Sequence, residues 1–167
     1  MSKKKRKNIL LGIIAAVLIT LVIGYNYSAD QTKIKGFNFG NNLQVIQEDL
    51  KKIETDFQSE LILFHEGESS LVEFLEYSDM HISKIEELIL RYDNLEPPYA
   101  FTSSVDLFKL SSQSQLEADK ETIQWIKNKD KGAKIRSDSL FQDAFEFELA
   151  ALAKFNAAKA GVEPSLL

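Results

Sequence analysis

Residues 70–98 read SLVEFLEYSDMHISKIEELILRYDNLEPP. Leu71, Leu75, Ser78, Ile82, Ile85, Ile89 and Tyr92 recur at spacings of three and four, which is one inward face of an α-helix. Ser70 stands where its hydroxyl can cap that helix, and Glu73 completes a capping box. Pro97 and Pro98 close the stretch, because neither can donate a backbone hydrogen bond.

The same period continues on both sides. Upstream, Leu43, Ile46, Leu50, Ile53, Phe57, Leu61 and Phe64 define a helix that starts near Asn41 or Asn42 and stops at Gly67. Downstream, Val105, Phe108, Ser112, Leu116, Asp119, Ile123 and Ile126 define a third helix over about 102–128, broken by Gly132. A fourth runs from Ser137 or Asp138 to Ala160, with Leu140, Phe141, Ala144, Phe147, Ala151, Leu152 and Phe155 inward and Gly161 and Pro164 as stops. Short connections make consecutive helices antiparallel. The expected fold is all-α: an up-down-up-down four-helix bundle over 41–161, a polar linker over 28–40 holding Gly36 and Gly40, and a tail over 162–167. A bent hairpin, with the first two helices fused through Gly67, is the rival, and the capping box at Ser70 favours four helices.

The N-terminus carries a membrane signal. Lys3, Lys4, Lys5, Arg6 and Lys7 form a basic tail within 1–8, and no charged residue occurs between Lys7 and Asp30. A bilayer core of about 30 Å needs roughly 20 helical residues. Residues 9–27 meet that need as a transmembrane signal anchor, with Tyr25 and Tyr27 at the interface. The basic flank keeps the N-terminus cytoplasmic and sends the bundle outward, as a single-pass protein of the cell membrane. The alternative is a cleaved signal peptide and a secreted bundle.

Of the 20 basic residues five precede the anchor, and all 25 acidic residues follow it, leaving 15 basic residues and a net charge of −10 outside. That sign disfavours nucleic acid as a partner and suits divalent cations or a basic protein. The 167 residues include no cysteine, which excludes disulfides and thiol nucleophiles, and only seven glycines, which argues against phosphate-cradling loops. No catalytic motif is recognisable, so no enzymatic role is expected.

Two carboxylates fall in phase with the core: Asp119 on the third helix and Glu148 on the fourth. Counted from the turns at the end away from the anchor, both lie about 15 Å into the bundle at ~1.5 Å per residue. Glu54 and Gln58, and Ser78 and His81, lie at the same depth on the first and second helices. Buried carboxylates are costly unless paired, protonated or bound to a metal. Glu54, His81, Asp119 and Glu148 are therefore the candidate ligands of a divalent metal, though a hydrogen-bonded or edge-solvated structural layer is the simpler account of them. His81 lies at the flank of its helical face. The Glu-x-x-His pairs of di-metal bundles are absent. The polar run 111–115 on the third helix reads as a satisfied helical turn, with a small-ligand pocket as the functional reading.

Two features suggest a protein partner or self-association. Leu107, Ala118 and Trp125, with Leu110 beside them, form an apolar stripe on the outer side of the third helix. Lys127, Lys129, Lys131, Lys134 and Arg136 crowd the connection after it, against Asp130 alone.

Tyr92-Asp93 ahead of Pro97-Pro98, then Leu107-Phe108, Trp125-Ile126 and the run 145–155, together resemble small signal-anchored helical proteins of unknown function from archaea. The resemblance implies an anchored bundle and carries no activity. In shape the layout is similar to the anchored four-helix sensory domain of chemoreceptors, which continues into a second membrane span, whereas this sequence ends at Leu167. The functional expectation is a non-enzymatic accessory or scaffolding component of a membrane or envelope complex. The alternative is a bundle that binds a small ligand or a divalent metal in its polar layer.

Overall fold

Ser70 caps its helix as expected. Its hydroxyl accepts from the Glu73 N–H at 3.3 Å, and the Glu73 carboxylate accepts from the Ser70 N–H at 2.8 Å. The computed structural model describes residues 31–161, with side chains from residue 38. Among these residues are four α-helices: α1 Gln31–Glu66, α2 Leu71–Asp93, α3 Thr102–Asn128 and α4 Lys131–Lys159. A 3-10 turn, Tyr99–Phe101, leads into α3. No strand occurs among the described residues. The expected anchor (9–27) and tail (162–167) lie outside them. Among the described residues no helix is long and apolar enough to cross a membrane.

Two boundaries differ from the sequence reading. α1 begins at Gln31, so most of the expected linker 28–40 is helical. A helical glycine costs only about 1 kcal/mol, and Phe39, buried against Phe101 with ring centroids 5.6 Å apart, offsets it for the turn around Gly40. α4 begins at Lys131 rather than near Ser137, and Gly132 sits inside its first turn. The cause is Asp130, whose side chain accepts from the Gly132 N–H at 2.8 Å and caps the helix there. Lys129 takes the left-handed conformation at φ 56, so the chain reverses within two residues.

Cross-helix bonds fix the direction of packing. Gln47 meets Tyr92 and Asp49 meets Arg91, while Phe57 packs on Phe74, so α1 and α2 are antiparallel. Tyr92 to Ser112 and His81 to Asp119 make α2 and α3 antiparallel. Ser111 to Ala144 and Thr122 to Ser137 do the same for α3 and α4. The main core joins all four helices at one end, around Leu43, Leu88, Phe108 and Phe155.

Two faces are rotated from expectation. On α2 the buried residues are Phe74, Ser78, His81, Ile85, Leu88, Ile89 and Tyr92, whereas Leu71 is exposed. At ~100° per residue this turns the face by about 50° and puts His81 near its centre, not at its flank. On α3, Ala118 is fully buried, with Ser104 and Thr122. This side is the seam with α4, which presents Ala133, Ser137, Ala144 and Ala151. Small side chains on both helices let the α3 and α4 backbones lie close together over more of their length than any other pair.

Candidate metal centre

Glu54 on α1, His81 on α2 and Asp119 on α3 converge between the helices, Glu54 half-buried and the other two fully buried. One ligating atom from each lies within 4.8 Å of the other two. His81 Nε2 is 2.9 Å from Asp119 Oδ2, and both residues are sealed from solvent. The imidazole stacks on Phe57, centroids 4.0 Å apart and planes 9° from parallel, which fixes its orientation. Gln115, one turn before Asp119, donates its amide to Glu54 Oε2 at 2.9 Å and to Asp119 Oδ1 at 3.3 Å. Both carboxyls are thereby aimed by one neutral side chain.

Burial governs the electrostatics. It pushes the Asp119 carboxyl up to about 8, against the lowering effect of its hydrogen bonds with Glu54 and Gln115. It pushes the His81 imidazole down to about 4, against the pull of the Glu54 charge. Glu54 is held well above the usual carboxylate range, first by burial and then by repulsion from Asp119. Both shifts favour the uncharged form, as burial without a counter-ion demands. Two polar atoms of this trio, Glu54 Oε1 and His81 Nδ1, are buried without a hydrogen-bond partner among the described residues. An unpaired buried polar atom costs about 1–3 kcal/mol.

Glu148 does not join them. It is half-buried on α4, where desolvation pushes its carboxyl up to about 7 and its charge acts on Tyr92. The early start of α4 explains the separation. From the turn at Lys129–Asp130, Asp119 is about 15 Å along its helix and Glu148 about 27 Å, at ~1.5 Å per residue. Gln58 is half-buried, and Ser78 bonds the Phe74 carbonyl at 2.7 Å. A second polar layer forms nearer Glu148. Gln47 donates to the Tyr92 hydroxyl at 2.6 Å, and the Tyr92 and Ser112 hydroxyls lie 3.0 Å apart. Burial pushes the Tyr92 hydroxyl up, so it stays protonated.

Gln115 closes the polar run 111–115, which the sequence suggested as a satisfied helical turn or a ligand pocket and did not join to the acidic layer. Its signal was present: a glutamine four residues before a core aspartate shares its face. What the sequence concealed was the neighbour on α1 that makes its second hydrogen bond necessary.

The residues expected to meet a partner divide into packed and exposed ones. Leu107 packs against the main core and Trp125 is half-buried, with its ring 6.1 Å from His65 and Lys134 Nζ 5.0 Å above it. Leu110 remains 42% exposed. The stripe of α3 is thus largely the seam with α4, because Ala118 at its middle is buried there. Arg136 makes a bidentate pair with Glu121 at 2.8 Å, and Lys134 pairs with Asp138 at 3.0 Å. Lys127, Lys129 and Lys131 are exposed, with no ion pair among the described residues.

No protein-family model matches the chain, and no curated protein or solved structure is significantly similar to it.

Proposed function

We propose that the chain is a membrane-tethered helical module that holds a divalent cation in its core through Glu54, His81 and Asp119. The observation that supports this is the convergence of three ligating side chains from three helices, with donors within 4.8 Å, in the bundle interior. Two ionised carboxylates would balance a dication, so binding would replace buried protons by a neutral ion set. The tether is supported by the basic residues 3–7 and the uncharged stretch 9–27, the pattern of a signal anchor, and by the resemblance to signal-anchored archaeal proteins. No reaction is assigned to the centre, which is enclosed by Phe57 and the surrounding helices.

The test is thermal melting of the full chain, stripped with a chelator and then titrated with divalent cations. Ligand at 100 times its dissociation constant stabilises by about 2.7 kcal/mol, or about 10 °C for a domain of this size. Asp119→Asn should abolish that rise while keeping the helical content. A melting temperature unmoved by every divalent cation refutes the proposal.

An accessory role beside a membrane complex is the second reading. It is favoured by Phe145 and Leu149, one turn apart on α4 and 39% and 49% exposed. Crosslinking in native membranes should then recover a stoichiometric partner through Lys127, Lys129 or Lys131; recovery of this chain alone counts against it.

A further inference from the structure

We infer that the Glu54–His81–Asp119 centre takes a d-block dication of the zinc class, as against calcium or magnesium, with Gln115 as its positioning residue. This rests on the cation-binding reading above and adds the class of metal.

The donor set carries the choice. Calcium takes six to eight oxygen ligands, and magnesium keeps an octahedral shell of oxygens, mostly water. The centre offers one imidazole and two carboxyl groups, enclosed by the stacked Phe57 ring and by residues of three helices. An imidazole nitrogen with carboxylate oxygens in a small, closed set suits zinc, cobalt, iron or manganese dications.

The geometry agrees. A tetrahedral ion about 2.1 Å from each donor sets the donors about 3.4 Å apart. Here they already lie within 4.8 Å of one another, with His81 Nε2 and Asp119 Oδ2 at 2.9 Å. Side-chain shifts of roughly an ångström therefore complete the set, without moving a helix. A second observation points to a ligand: Glu54 Oε1 is buried without a partner, although the other oxygen of that carboxyl is bonded to Gln115. The Gln115 amide holds both carboxyls by one side chain, the arrangement in which outer partners orient metal ligands.

The experiment uses the full chain, stripped of metal, with zinc, cobalt, calcium and magnesium chlorides added separately. Binding is read by calorimetry and by metal content after gel filtration, and cobalt additionally by its visible ligand-field bands. Zinc and cobalt should bind once per chain, at least 100-fold more tightly than calcium or magnesium. Gln115→Leu, which removes no ligand, should weaken zinc 10- to 100-fold, with helical content unchanged by circular dichroism. His81→Gln should abolish the cobalt bands. Should that variant fail to fold, Gln115→Leu and the metal ranking still decide the matter. Equal or tighter binding of calcium or magnesium overturns the metal class while leaving a cation site. An absence of binding by all four overturns both this inference and the reading beneath it.

Discussion

Tyr92 and His81 show two outcomes for a polar group in a helical core. Around Tyr92 every bond has a natural direction: Gln47 donates to its hydroxyl, that hydroxyl donates to Ser112, and Ser112 donates to the Phe108 carbonyl. Such a chain is satisfied without any ligand. Tyr92→Phe should cost about 1–2 kcal/mol in urea denaturation, since it strands the Gln47 amide; a variant as stable as wild type would show that Gln47 finds another partner. Around His81 the chain of bonds stays incomplete, with two polar atoms unpaired. The shifted carboxyls there and at Glu148 also set a pH dependence for the metal-free protein. Asp119 and Glu148 are raised to about 8 and about 7, above their unfolded values. Their contribution is full below pH ~4 and is lost as pH rises through those values. His81, lowered to about 4, acts in the opposite sense, but only below its unfolded value of ~6.5. The chelated protein should therefore melt at progressively lower temperature from pH 6.5 to 8.5, and Glu148→Gln should flatten part of that slope. A melting temperature that climbs over this interval would contradict the assignment.

At the scale of elements, caps and turns fix where each helix begins and stops. Lys129 holds φ 56, a conformation that disfavours a side chain with a Cβ. Lys129→Gly should raise stability by about 0.5–1 kcal/mol, measured by thermal melting, and a loss would mean that the lysine stem packs usefully across the turn. Ser70 is the converse case, with both bonds of its capping box formed. The seam between α3 and α4 depends on small residues, and Ala118 is wholly buried. Ala118→Leu should cost about 1–3 kcal/mol by forcing the two helices apart, read as a lower urea midpoint. Equal stability would mean that the seam has slack. The surface pair of Arg136 with Glu121 needs no such weight, since exposed ion pairs contribute about 0–1 kcal/mol.

For the whole molecule, the grouping of ends matters most. Phe39, Phe101 and Phe155 gather the start of α1, the α2–α3 connection and the end of α4. At the other end His65 approaches Trp125 across the two remaining turns. Between these ends α1 meets α3 through the Glu54–Gln115 hydrogen bond. A cation held by α1, α2 and α3 would clip α1 to the rest of the bundle. Amide hydrogen exchange should slow in α1 around Glu54 when zinc is added, while the middle of α4 changes little. Equal slowing throughout would indicate general stabilisation instead of a local clip.

The period of three and four, the capping box at Ser70 and the glycine at 67 by themselves determined that the chain is helical, how many helices it has after residue 31, and where α2 and α3 lie. They determined as well that Asp119 falls on the inward face of α3, in phase with Val105, Phe108 and Leu116. Tertiary structure alone decided the partners. The early start of α4 shifted its register by about two turns and carried Glu148 away from Asp119. The rotation of α2 brought His81 from the edge of its face to the centre. Close packing of α3 on α4 turned the stripe around Ala118 into an internal seam. Each of these depends on how one helix is rotated and slid against another. Periodicity along a single helix reports which side is apolar, and leaves open which residue of a neighbouring helix stands opposite.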